Sequence, residues 1–332
     1  MILLIDKEIK ELNKKAEAYS KDLNEVLTEI QKVVVGQQYP LERLMTALIS
    51  DGHILLEGLP GLAKTLMIKT LSDCVHTDFK RIQFTPDLLP ADITGTKIYN
   101  QSTGKFTTKR GPIFSNFILA DEINRAPPKV QSALLEAMQE RQVTIADETQ
   151  PLPKPFLVMA TQNPLETEGT YSLPEAQIDR FMFKINVLYP TKKEEKTIIA
   201  RMTGTDIPTV KKIITPQKII EIQKFTRSIY VDEKIQDYIT DIVEATRSPK
   251  DFGLDISQYI EYGASPRASL CLALGGKAHA LLEGRGYVTP EDIKAIAPDV
   301  LRHRLILSYE AMAEDVKVDT VIEKILKSVK VP

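Results

Sequence analysis

The chain of 332 residues has no tryptophan, only two cysteines and few aromatic side chains, 6% in all. Cys74 and Cys271 are too few and too far apart for a disulfide framework or a metal knuckle, as expected of a protein kept in a reducing compartment. Neither sign of charge is in surplus: 43 Lys and Arg stand against 45 Asp and Glu, a net −2. No global basic field is therefore present to hold nucleic acid or an anionic membrane. Long apolar runs are missing as well. The opening Met1-Ile2-Leu3-Leu4-Ile5 is cut off by Asp6, Lys7 and Glu8. It is too short for a signal segment and has no positive stretch before it. No later stretch approaches the roughly 18 apolar residues that span a bilayer. There are no internal repeats and no low-complexity segments. A soluble cytoplasmic protein without membrane insertion is the expectation.

What is present is the mixture of a folded globular chain, 43% hydrophobic and 27% charged. The length exceeds what a single core comfortably fills, so two folded units are expected. From about Lys7 to Lys32, Leu12, Leu23, Val26, Leu27 and Ile30 recur among Lys and Glu at helical spacing. An N-terminal helical extension over 1–31 follows. Residues 32–189 alternate helical patterns with short apolar runs at His53–Glu57, Arg81–Phe84, Phe117–Ala120 and Phe156–Ala160. Such runs between helices read as buried parallel strands with helices on both faces. From Pro190 the chain turns Lys/Glu-rich and helical to residue 332. Ser265-Pro266 and Thr289-Pro290-Glu291-Asp292 are helix starts there, and Gly284 to Gly286 a helix stop. The expected fold is an α/β core with a parallel sheet and hairpin insertions, followed by a smaller all-helical lid.

Directly after the first strand comes Gly58-Leu59-Pro60-Gly61-Leu62-Ala63-Lys64-Thr65, which opens a helix over Leu66–Leu71. Strand, glycine-containing loop, Lys-Thr and helix form the context of a P-loop. Its backbone N–H groups wrap phosphates while the helix N-terminus adds partial positive charge. Lys64 would reach the β- and γ-phosphates of ATP and Thr65 would take one Mg2+ position. The usual third glycine is Ala63, expected to sit in right-handed backbone where alanine is at ease.

A second apolar strand, Phe117-Ile118-Leu119-Ala120, ends in Asp121-Glu122. Ligands of parallel sheets lie beyond the carboxyl ends of the strands, where these acids emerge. Asp121 would hold the metal and Glu122 would polarise an attacking water. The third strand ends in Ala160-Thr161-Gln162-Asn163-Pro164, a place from which a polar side chain could orient that water. Taken alone, an asparagine before a proline, as at Asn163, is more often just a turn residue.

These segments together resemble the MoxR family of AAA+ ATPases. Val33–Gln37, Phe84–Asp92, Asp121–Pro128, Leu173–Phe181 and Gly263–Arg267 extend the likeness over about Val33 to Leu307. Ala63 is the family's own spelling of the loop. The resemblance implies nucleotide contacts from Gly36 and Gln37 on the adenine side and from Gly58, Leu59, Pro60, Gly61, Leu62, Ala63, Lys64, Thr65 and Leu66. It implies Asn163 as a first sensor, Arg267 as a second sensor in the same subunit, and Arg180 as an arginine finger reaching the ATP of the next subunit. Arg125 is a second candidate for that trans role. A homo-oligomeric ring, six-membered in the family, and client or adaptor proteins, including ones with von Willebrand factor A domains, are implied as partners. Hairpins at Lys97–Asn100 with Lys105–Thr108, and at Gln142–Ile145 with a return through Pro155, match the family's insertions.

Three rival functions differ in kind. A nucleic-acid motor akin to minichromosome-maintenance helicases is disfavoured by the net charge and the scarcity of aromatics. A nucleotide-gated scaffold is disfavoured by the intact Asp121-Glu122 pair. A magnesium-chelatase-like subunit shares the same site and differs in its partners.

Overall fold

The structure, a computed structural model, describes residues 2–102, 104–164, 169–204 and 208–332, with side chains from residue 9 onward. Met1 and the side chains of the apolar opening lie outside the described residues. Contacts group the chain into two compact units. One comprises residues 25–181 and 185–221, the other 1–24, 182–184 and 222–332. This division differs from the spans 1–31, 32–189 and 190–332 read along the sequence: helix α1 (Ile2–Ile30) is one continuous helix that the units share.

The first unit is the α/β layer. After α1 come α2 (Gln38–Ile49), β1 (Ile54–Glu57), α3 (Lys64–Val75), β2 (Phe79–Gln83), α4 (Pro90–Thr94), β3 (Gly95–Asn100) and β4 (Lys105–Arg110). Then follow β5 (Phe117–Asp121), α5 (Pro128–Glu140), β6 (Gln142–Ile145), β7 (Glu148–Pro151), β8 (Leu157–Gln162), α6 (Glu175–Ile178), β9 (Phe183–Asn186) and α7 (Lys192–Met202). The sheet runs β2-β5-β8-β1-β9, with the β2–β5, β5–β8 and β8–β1 pairings parallel. Its inner strands are apolar throughout and bury Ile54–Leu56, Phe117–Ala120 and Leu157–Ala160. That full burial is why those segments show no alternation in sequence. Leu23, Val26, Leu27 and Ile30, at i, i+3, i+4 and i+7 on α1, are all buried.

The two hairpins, β3–β4 and β6–β7, lie side by side and are laced together. Lys97 Nζ meets Asp147 Oδ1 at 2.6 Å and Glu148 Oε1 at 3.2 Å, and Arg110 Nε donates to Gln150 Oε1 at 2.8 Å. Both insertions fall where the residue pattern placed them.

The second unit is helical apart from one short antiparallel pair. It contains α8 (Pro216–Ser228) from residue 222, then α9 (Glu233–Ala245), β10 (Ile260–Tyr262), α10 (Pro266–Leu282), α11 (Pro290–Leu301), β11 (Ile306–Leu307), α12 (Tyr309–Ala313) and α13 (Val318–Ser328). The β10–β11 pair departs from the expected all-helical lid; two- and three-residue strands leave no readable alternation. Ser265 Oγ caps α10 by accepting from the Arg267 N–H at 3.2 Å, and Gly284 ends it at φ 75°. Within this unit, Ser20 Oγ donates to the Leu282 carbonyl at 2.6 Å and the Gly286 N–H to Asn13 Oδ1 at 2.6 Å. These two bonds fasten the first part of α1 to the turn after α10.

Candidate active site

Between β1 and α3 the chain makes the loop Gly58–Ala63. At Gly61, φ is 82°, a conformation open to glycine and strained for any other residue. Gly58 is fixed by space: an added Cβ would stand 3.0 Å from the Val187 carbonyl oxygen. Ala63 corrects the sequence reading. It caps α3 with φ 59° and ψ 18°, left-handed rather than right-handed, because the loop must still be turning as the helix begins. A Cβ there costs about 1–2 kcal/mol. Lys64 Nζ donates to the Gly58 carbonyl at 2.5 Å, tying the helix start back across the loop. Burial lowers the Lys64 pKa from its ordinary value, and the charges of Asp121 and Glu122 resist that fall.

The acid pair stands at the carboxyl end of β5, level with the ends of its neighbours. Gln83 on β2 is paired in register with Asp121, and Ala120 with Ala160 on β8, which places Thr161 one step further along. That buried hydroxyl links both acids: it donates to Asp121 Oδ1 at 2.6 Å and accepts from the Glu122 N–H at 2.9 Å. Arg81 donates through Nε at 3.0 Å and Nη2 at 2.6 Å to Asp121 Oδ2. Its Nη2 also reaches Gln83 Oε1 at 2.7 Å, and Gln83 Nε2 donates to Glu122 Oε2 at 2.9 Å. Glu122 itself has φ 55°, a left-handed outlier for a side chain of its size and the kind of strain that collects at working sites. Arg125 Nη1 lies 3.3 Å from Glu122 Oε2.

One cavity of about 390 Å3 gathers Pro60 to Leu66, Arg81, Asp121, Glu122 and Asn163. The structure thus brings together most of the loop, both acids and Asn163, which is buried. Gly36 (φ 68°) and Gln37 (φ 55°) form a left-handed turn beside the start of α7. There Gln37 Nε2 donates to the Leu188 carbonyl at 2.9 Å, and an added Cβ at Gly36 would meet the Glu194 carboxyl at 2.9 Å. Arg180 is exposed, with Nη1 donating to the Leu135 carbonyl at 3.2 Å, and is not among the cavity's lining. Arg267, also exposed, occupies the second position of α10 in the helical unit.

Arg81, Gln83 and Thr161 escaped the sequence reading. Nothing in their local pattern marks them; only the sheet register puts them against the acids. Thr161 was visible as a polar residue at a strand end two positions before Asn163, and that was the one usable signal.

The donors suit a magnesium nucleotide. Gly61, with nothing within 4 Å of an added Cβ, leaves the loop open toward the cavity. Thr65 and Asp121 offer hard oxygen ligands of the type Mg2+ prefers. Among the described residues no group of three or more His, Cys, Asp or Glu could hold a metal alone. A cation here would lean on phosphate and water oxygens, as Mg2+ commonly does.

A parallel sheet with a P-loop at the end of β1 and an acid pair at the end of β5 defines the class of P-loop nucleotide hydrolases. Comparisons narrow it. The sequence model of the ATPase family associated with various cellular activities (AAA) matches residues 53–183, and that of the AAA lid domain matches residues 254–325. Chaperone MoxR1 of Mycobacterium tuberculosis is 50% identical over 93% of this chain and 82% of its own length. YeaC of Bacillus subtilis is 44% identical over 95% of this chain and 98% of its own. A crystal structure of a candidate ATPase from Cytophaga hutchinsonii superposes with a TM-score of 0.92 at 51% identity, covering 98% of this chain and 99% of that one. The chain belongs to the MoxR family of AAA+ ATPases.

Proposed function

We propose that this ATPase works as a Mg2+-dependent homo-oligomeric ring, six-membered like its family, in which each site is completed by the neighbouring subunit. The observation that carries the proposal is the convergence of Lys64, Thr65, Asp121, Glu122 and Asn163 on one cavity, with Arg180 exposed away from it. Lys64 and the loop from Gly58 to Leu66 bind the phosphates, while Gly36 and Gln37 serve the adenine side. Thr65 and Asp121 would hold the metal, which neutralises charge on the β- and γ-phosphates when bound. Glu122 orients the attacking water and takes its proton, and Asn163 positions that water from the neighbouring strand. Arg180 stabilises the transition state in trans. Arg267 senses the nucleotide from the helical unit. Residues 32–189 act as the nucleotide-binding core and 190–332 as the lid.

Loss of the γ-phosphate would shift bistable interfaces and so drive remodelling of partner complexes in the cytoplasm. The chaperone name of the Mycobacterium relative supports that output. So do the laced hairpins, whose Tyr99 and Phe106 are exposed side by side with ring centroids 5.2 Å apart. Client or adaptor proteins, von Willebrand factor A domain proteins among them, are the proposed partners. No helix among the described residues is long and apolar enough to cross a membrane.

The test is ATP turnover per subunit over a wide range of protein concentration, with Mg2+ present and particle mass followed in parallel. Specific activity that climbs with assembly supports a shared site. Constant activity from a monomer contradicts it. Lys64→Ala should abolish nucleotide binding; full affinity in that variant would remove the loop from its role.

A further inference from the structure

Asp121, the proposed metal carboxylate, has both oxygens engaged by the protein. Oδ1 takes the Thr161 hydroxyl, and Oδ2 takes two bonds from the Arg81 guanidinium at 3.0 and 2.6 Å. The hydroxyl is neutral and buried, so it orients the carboxylate without opposing a cation. The guanidinium places a full positive charge on Oδ2 of a carboxylate that lines the cavity. A divalent cation and Arg81 cannot both sit on Oδ2, because their charges repel at contact distance and the lone pairs are shared.

One of the positive groups near Asp121 must yield, and the geometry shows which. Lys64 is partly buried and anchored on the Gly58 carbonyl. The Arg81 side chain is 50% exposed at the edge strand β2, so solvent can receive the displaced charge. Its remaining partner, Gln83 Oε1, holds it from below at 2.7 Å, and the other end of that amide holds Glu122 at 2.9 Å.

We propose that Arg81 is a displaceable counter-ion of Asp121, competing with the divalent cation for that carboxylate. Metal affinity is thereby set lower than the bare loop and acid pair would give. This rests on the nucleotide-site reading above and adds a residue that opposes the metal rather than holding it. Withdrawal of the guanidinium also frees Gln83 Oε1, at the far end of the amide whose Nε2 holds Glu122.

The experiment uses the full chain, with Mn2+ binding followed by electron paramagnetic resonance in the presence of a non-hydrolysable ATP analogue. Arg81→Gln removes the charge at an exposed position. It should tighten Mn2+ binding by up to about five-fold, the range of a partly exposed ion pair, and leave metal-free analogue affinity unchanged. Arg81→Lys, which keeps a charge but not the two-pronged contact, should fall between. Gln83→Leu cuts the tether to Glu122 and one anchor of Arg81 but keeps the guanidinium charge beside Asp121, so it should tighten Mn2+ binding less than Arg81→Gln does. Unchanged or weaker Mn2+ binding in Arg81→Gln overturns the proposal, as does equal tightening in Gln83→Leu. Weaker metal-free analogue binding in Arg81→Gln would make Arg81 a phosphate ligand and overturn it too. If the unmutated chain bound neither analogue nor Mn2+, the nucleotide-site reading itself would fall first.

Discussion

Of the aspartates clasped by an arginine in this molecule, Asp121 and Asp292 do opposite things. Asp121 is 15% exposed and Arg81 half exposed. Asp292, at the start of α11, is fully buried, and Arg285 is 27% exposed. Asp292 takes Arg285 Nη1 on Oδ2 at 2.7 Å and Nη2 on Oδ1 at 2.6 Å, His279 Nδ1 at 2.7 Å, and both the N–H and the hydroxyl of Thr289 at 2.8 and 2.9 Å. Burial alone would raise the Asp292 pKa. The bonds from Arg285, His279 and Thr289 outweigh it and hold the carboxyl well below the usual carboxylate range. Every lone pair of Asp292 is answered inside the protein, whereas Asp121 keeps a face on a cavity. Donor count and access to water, not the presence of an ion pair, separate a charge that fixes a fold from one that can be handed to a ligand.

The comparison can be broken at several strengths. The largest expected effect is in the cavity: Glu122→Gln should lower turnover by about 10²–10⁴-fold while nucleotide binding persists. Normal turnover in a steady-state assay would show that the acid pair is not poised for chemistry. Next, Asp292→Asn leaves Arg285 and His279 facing a neutral amide and should destabilise the chain by about 3 kcal/mol. The urea midpoint reports it, with nucleotide affinity of the folded protein unaltered. A loss below about 1 kcal/mol would erase the contrast with the exposed pair.

A smaller effect depends on pH. His53 is buried, accepting from the Val158 N–H at Nδ1 and facing the Met138 carbonyl through Nε2. Burial first, and the nearby Arg141 charge second, lower its pKa well below the ordinary value. The unfolded chain therefore takes up a proton near pH 6.5 that the folded chain refuses. Stability is full above that pH and falls below it by up to about 1.4 kcal/mol per pH unit. His53→Leu should flatten that slope between about pH 6.5 and 5 in denaturant titrations. An unchanged slope would assign the acid sensitivity elsewhere. The smallest effect is Ala63→Gly, which should raise stability by about 0.5 kcal/mol, strain relief partly offset by glycine's extra chain entropy. A fall in melting temperature would argue against the left-handed cap.

Much of this was written locally in the chain. Loop, acid pair, both hairpins, the Ser265 and Thr289 caps and the helical stretch at the N-terminus follow from residue type and spacing, because each is decided within a few neighbouring residues. Strand β9 does not stand among the four apolar runs. Phe183-Lys184-Ile185-Asn186 is short, and it follows Asp179-Arg180 without a turn signal. The Ala63 backbone was misjudged because a residue at a helix start is ordinarily right-handed, and only the returning loop forces the other sign. Arg81 and Gln83 were invisible, and Thr161 showed only as a strand-end polar residue, for a deeper reason. Their meaning comes from parallel register between strands some forty residues apart, which no local pattern encodes. Asp292 was legible as a capping acid but not as a buried charge, since Arg285 and His279 reach it from outside its own helix.

The most direct measurement of the shared site is a mixing assay. Arg180→Ala subunits, expected to turn over slowly alone, and Lys64→Ala subunits, expected not to bind nucleotide, are combined at increasing ratios, and ATP turnover is recorded while native mass spectrometry checks that the two are mixed in one particle. Turnover should reappear in the mixture, because an intact loop on one subunit meets an intact Arg180 on the next. Mixed rings that stay inactive would contradict a site completed by the neighbour.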